Sequence, residues 1–163
     1  MAHHRIALLV LGAALSGPMR LAAQAPASPE AAVNAFMKAV ADSNMNRMLQ
    51  LWGSEKGSAA RTKQPPDYQK RIYVMYSYLR GSTHRISGVQ PDTSDPKRRS
   101  MLVEFKRNEC ASQARVRAAK SKDEGWLVNW IDLAAVGTPG RQCGDGQAPE
   151  QPAPEPAAAP SGK

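Results

Sequence analysis

Three stretches with helical spacing of apolar residues are followed by four that alternate with the period of a strand, and this order constrains the chain more than any other feature. Helices in one block and strands joined by short turns in the next argue for an α+β domain, with the helices gathered on one face of an antiparallel sheet. The order sets an architecture and names no reaction.

The first helix is announced by Ser28-Pro29-Glu30, an N-cap serine, a proline at the first helical position and an acid near the positive end of the dipole. Val33, Phe36, Met37 and Val40 then fall on one face. After the break Asp42-Ser43-Asn44, the residues Met45, Met48, Leu49 and Trp52 repeat that spacing, with Gly53 as the expected stop. Residues 53 to 66 read as a basic, polar loop. Pro66-Asp67 opens a third helix lined on one side by Tyr68, Ile72, Met75, Tyr76 and Leu79 before Gly81.

Strand alternation begins at Thr83 and runs to Val89, followed by a turn rich in Pro, Asp and Ser. In the second strand Met101, Val103 and Phe105 share a face, and in the third Ala114, Val116 and Ala118 do. A turn at Glu109-Cys110 sets Phe105 opposite Ala114 and Val103 opposite Val116. The next turn, Ser121 to Gly125, sets Ala118 opposite Leu127 and Ala114 opposite Ile131. The last strand, Trp126 to Val136, then divides into an inner side of Leu127, Asn129, Ile131 and Leu133 and an outer side of Trp126, Val128, Trp130 and Asp132.

Both ends stand apart from this domain. Residues 1–25 read as a secretory signal peptide, with Arg5, an apolar run Ile6 to Leu15, the breaker Gly17-Pro18 and small residues that allow cleavage after Ala23 or Ala25. The run is too short to span a bilayer core of about 30 Å, so no membrane insertion is expected. The protein is expected to be exported, to a periplasm or outside the cell. Residues 144–163 carry prolines at 149, 152, 154, 156 and 160 among alanines and acids and read as an extended, disordered tail. Residues 26–143 remain as one domain.

Cys110 and Cys143 suit an oxidising compartment and are expected to form one structural disulfide. The chain beyond Val136 should emerge near Cys110, so the pairing is sterically reasonable. Neither CxxC spacing nor an HxH or HExxH pattern occurs, so no metal and no cofactor is expected. The net charge of +8 favours anionic partners. The basic residues are nevertheless scattered, and Lys97-Arg98-Arg99 reads as a solvated hairpin tip, so no nucleic acid is expected.

The opening helix Ser28-Pro29-Glu30-Ala31-Ala32-Val33-Asn34-Ala35-Phe36, the two helices after it and the last strand Gly125-Trp126-Leu127-Val128-Asn129-Trp130-Ile131-Asp132-Leu133 together resemble the NTF2-like, or SnoaL-like, superfamily. The resemblance covers about Ser28 to Val136. It implies three N-terminal helices packed on a curved, four-stranded antiparallel sheet, forming a cone that in various members holds a small molecule. It also implies frequent dimerisation through the sheet face, and in enzyme members an Asp, often with His or Tyr, inside the cone.

Two kinds of site follow. A small apolar ligand could sit in the cone among Phe36, Met37, Met48, Trp52, Tyr76 and Asn129. A partner, or a second copy in a homodimer, could cover Arg115, Arg117, Trp126 and Trp130 on the outer face, where aromatics interleave with arginines. A cone enzyme of isomerase or dehydratase type is the alternative, using His84 or Asp132, since such chemistry needs a base in a dry pocket. Asn129 is no base, Asp132 alternates outward and the direction of His84 is open. No catalytic residue is carried over, and the residues favour an exported, non-enzymatic binding or interaction module.

Overall fold

The computed structural model describes residues 25–92 and 95–139; the expected leader apart from Ala25, the expected tail, and Cys143 lie outside them. Helix α1 spans Pro29–Ala41 and α2 Met45–Leu51. Ser28 Oγ caps α1 by accepting from Ala31 N at 3.1 Å, and Asn44 Oδ1 caps α2 through Arg47 N at 2.9 Å. Val33, Phe36, Met37, Val40, Met48 and Trp52 are buried, as their spacing requires, whereas Met45 and Leu49 are only partly buried and Leu51, outside the expected stripe, is buried with Met48.

The expected loop after α2 is ordered. Strands β1 (Gly53–Ser54) and β2 (Gly57–Ser58) form a small hairpin, followed by the one-turn helix α3 (Ala59–Thr62). Among the described residues four helices therefore precede the main sheet, not three. Gly53 does not stop α2 by a left-handed turn; a Cβ there would lie 2.3 Å from Gly57 O, so glycine is required by the close approach of β2. Helix α4 (Tyr68–Leu79) is the expected third long helix, burying Ile72, Met75 and Leu79.

The main sheet has the order β3 (Thr83–Pro91), β4 (Arg98–Arg107), β5 (Cys110–Ser121) and β6 (Gly125–Ile131), all antiparallel neighbours. Met101, Val103, Phe105, Ala114, Val116 and Ala118 face the helices and join their side chains in one core. Ser87 in β3 and Asn129 in β6 are extra residues in otherwise continuous ladders, two bulges that bend the sheet. The architecture is an α+β domain with the helices on one face.

Two register expectations are corrected. The β4–β5 turn lies at Asn108-Glu109, one residue earlier than expected, because Asn108 adopts a φ of 52° that asparagine tolerates. Val103 pairs with Ala114 and Phe105 with Ser112, a shift of two that leaves every side chain on its expected face.

The β5–β6 turn shifts pairing by one, which does change faces. Ser121 pairs with Gly125, whose φ of 68° closes the turn, and Ala118 meets Val128 in place of Leu127. Trp126 and Val128 therefore enter the core, while Leu127 pairs with Ala119 on the other side. The bulge at Asn129 restores the original phase, so Ile131 is inside and Trp130 outside, as expected. Leu127 and Ala119 are nonetheless buried, in one row with Arg98, which the β1–β2 hairpin reaches through Glu55.

The last strand also ends early. Asp132 accepts from Ala135 N at 3.2 Å and caps the one-turn helix α5 (Leu133–Val136). No helix among the described residues is long and apolar enough to cross a membrane.

Candidate functional site

A cleft of about 320 Å³ opens between α4 and the outer edge of β6. Its position follows from the strand order and from the bulge. β6 is an edge strand, and Trp52 covers its first half through a parallel bridge to Val128. Beyond Val128 the bulge turns Asn129 out of the ladder, and its Nδ2 donates to Gly53 O at 2.8 Å. The remaining edge faces α4 across open space.

Trp52, Met75, Ile131 and Leu133 supply an apolar lining, and Val74 and Trp130, about 40% exposed, are also part of it. Asp67, Lys70 and Arg71 bring charge from the start of α4. Asp67 stands at the N-cap position but spends its carboxylate on Arg71, whose Nε donates at 2.9 Å. That hydrogen bond holds the Asp67 carboxyl below its ordinary range. Lys70 makes no hydrogen bond or ion pair among the described residues. The Trp52 indole Nε1 is buried without a hydrogen-bond partner.

The residues expected to surround a ligand separate into two groups. Trp52 and Asn129 line the cleft. Phe36, Met37 and Met48 fill the core between α1, α2 and the sheet, each at most 4% exposed. Tyr76 is partly buried against that core, and its hydroxyl lies 2.9 Å from Ser43 Oγ. Sequence spacing groups residues by helix face, and it does not separate those that pack on the sheet from those left beside its edge. Lys70, Arg71, Val74 and Met75 were missed for that reason.

On the outer sheet face, Arg115 is exposed and the Arg117 guanidinium lies 5.0 Å from the centre of the Trp130 ring. Arg117 pairs directly with Trp130, whereas the expected pairing of Ala114 with Ile131 would set Arg115 there. Trp126 is not on this face; it is 8% exposed in the core, with Arg99 5.7 Å from its ring. The basic run at the start of β4 is also structural. Arg98 pairs with Glu55 and Asp95, and Arg99 donates to Pro96 O at 2.8 Å.

The groups considered for catalysis are occupied elsewhere. His84 pairs with Phe105 on the helix-facing side, and its Nε2 lies 2.8 Å from Asn34 Oδ1. Burial pushes its pKa down. Asp132 caps α5, and Tyr76 contacts Ser43. His84, Asp132 and Tyr76 are not brought together. No group of three or more His, Cys, Asp or Glu side chains suited to a metal occurs among the described residues.

No protein-family model matches the chain, and no curated protein matches it. Among solved structures the chain is similar to an NTF2-like protein of unknown function from Cytophaga hutchinsonii, at 10% identity and a TM-score of 0.38, covering 66% of this chain and 92% of that one. It is also similar to a protein from Catenulispora acidiphila, at 9% identity and a TM-score of 0.38, covering 63% of this chain and 86% of that one.

Proposed function

We propose that the protein is a non-enzymatic binding module that takes a small, largely apolar ligand in the cleft between α4 and β6. The observation that carries this reading is the combination of an apolar lining with an absence of acid–base machinery in the same cleft. Trp52, Met75, Ile131 and Leu133 offer apolar surface that a ligand would remove from water. The one carboxylate there, Asp67, is ionised and engaged by Arg71, which makes it a poor proton acceptor near neutral pH. The outer sheet face supports a partner less well, because Trp126 lies in the core and Arg117 stacks on Trp130. The reading includes export, which rests on the leader-like residues 1–25 and the pair Cys110 and Cys143.

The test is a titration of the full chain with straight-chain alcohols, followed through the indole N–H resonance of Trp52. Affinity should rise about fourfold per added methylene until the cleft is filled, from about 0.8 kcal/mol per buried CH2. Val74→Trp, at an exposed position, should block the cleft and abolish the response without lowering the thermal midpoint. Unchanged affinity in that variant, or no movement of the Trp52 resonance, would overturn the proposal.

A further inference from the structure

We infer that the ligand of the α4–β6 cleft carries a single anionic group on its apolar body, a small aliphatic carboxylate in chemical class, with Lys70 as its charge partner. This rests on the binding reading above and adds the chemistry of one end of the ligand.

The argument is one of charge and of unmet hydrogen-bonding capacity. Three ionisable side chains line the cleft, all at the start of α4: Asp67, Lys70 and Arg71. Asp67 and Arg71 largely neutralise one another through their 2.9 Å ion pair. Lys70 acts on Asp67 only through space and is the charge without a hydrogen-bonded partner, so the cleft is apolar within and its three charged groups carry a surplus of one positive charge. A neutral hydrocarbon would meet the lining and ignore that charge. A cationic amphiphile would be repelled by it. A carboxylate meets both, since an ammonium pairs with an anion as a compact point charge on a flexible stem.

The buried indole N–H of Trp52 bears on an oxygen atom of the ligand and not on its charge. Trp52 is 7% exposed, lines the cleft and has no acceptor for its Nε1. A buried donor without a partner is unfavourable, and an oxygen-bearing ligand that displaced the ring would supply an acceptor where a hydrocarbon cannot. The Asn129 side chain lies on the same lining, oriented by its bond to Gly53 O.

Three probes of equal chain length, octanoate, octanol and octylammonium, separate the possibilities when titrated into the full chain at low ionic strength with the Trp52 indole resonance as readout. Octanoate should bind about fivefold more tightly than octanol, the upper range of a solvent-exposed ion pair, and octylammonium more weakly than either. Lys70→Ala should bind octanoate and octanol with equal affinity, and Lys70→Arg should retain the octanoate preference. Added salt should shrink the preference in the wild-type and Lys70→Arg chains and leave Lys70→Ala unaffected. Equal binding of all three probes overturns the anionic inference while leaving the binding reading intact. A preference for octanoate that survives in Lys70→Ala overturns the assignment to Lys70. If none of the probes moves the Trp52 resonance, the binding reading falls with it.

Discussion

Glu124 shows how much one side chain can organise. It stands in the β5–β6 turn and accepts from the backbone N–H of Ser58 at 2.8 Å, from the Ser58 hydroxyl at 2.7 Å and from Arg61 Nε at 3.0 Å. Burial alone would raise its pKa, but the Ser58 and Arg61 bonds together outweigh that and hold it below the ordinary value. Ser58 is 1% exposed, so Glu124→Ala leaves two buried donors unsatisfied and should cost about 1–3 kcal/mol, seen as a lower urea midpoint at unchanged slope. The lowered carboxyl value means that this stability is present above the unfolded value and lost as pH falls through the folded one. His84 has the opposite chemistry and the same direction of loss. Its folded pKa lies below the ordinary 6.5, so its contribution is full above that value and declines as pH falls toward the lowered one. Thermal midpoints between pH 7 and pH 5 should therefore fall more steeply in the wild type than in His84→Gln. Neither partnership was legible in the sequence: Glu124 and Ser58 are 66 positions apart and His84 and Asn34 are 50 apart, and no local pattern encodes such contacts.

At the level of elements, the helices were legible because their caps and apolar faces are local. Ser28, Asn44 and the Ile72, Met75, Leu79 stripe act within a few residues of themselves. The sheet was legible in composition and only partly in phase. A β4–β5 turn displaced at Asn108 was harmless, because a shift of two preserves faces, whereas the single-residue shift at Gly125 moved Trp126 and Val128 inward. The bulge at Asn129 then hid the error, since Ile131 falls inside by either count. Deleting Asn129 removes the extra residue and leaves Ala118 opposite Val128 and Arg117 opposite Trp130 in a continuous ladder, so the deletion variant should keep Ile131 buried and a native far-UV spectrum, with a thermal midpoint lowered by the lost bulge and the lost bond to Gly53 O. Asn129→Ala keeps the phase and loses only the bond to Gly53 O, so it should cost about 1 kcal/mol. Gly125→Ala should cost about 1–3 kcal/mol, because φ is positive there and a Cβ would stand 2.5 Å from Pro26 O.

For the whole molecule, the cleft could not be read from the sequence because it exists only where two elements fail to cover each other. Spacing along α4 marks Met75 as apolar; it takes the edge position of β6 to make Met75 part of a cavity. The expected disulfide is also a property of the whole chain. If Cys110 and Cys143 are joined, the intact mass under non-reducing conditions should be lower by two hydrogens. Reduction should then destabilise the fold by about 3–4 kcal/mol from loop-closure entropy, measured as a drop in the denaturant midpoint.

The early part of the chain closes on its last strand at three places and on the turn before it at a fourth: Pro26 O accepts from Trp126 N, Trp52 bridges Val128, Gly53 O accepts from Asn129, and Ser58 binds Glu124 of the turn. Contacts this distant in sequence make folding wait on chain length. During synthesis, α1 and α2 leave the ribosome long before the strand that completes their packing, so the protein cannot lock shut until residue 131 has emerged. Truncated products that stop short of β6 should accordingly be sensitive to protease, and a nascent chain should stay pliable for most of its translation.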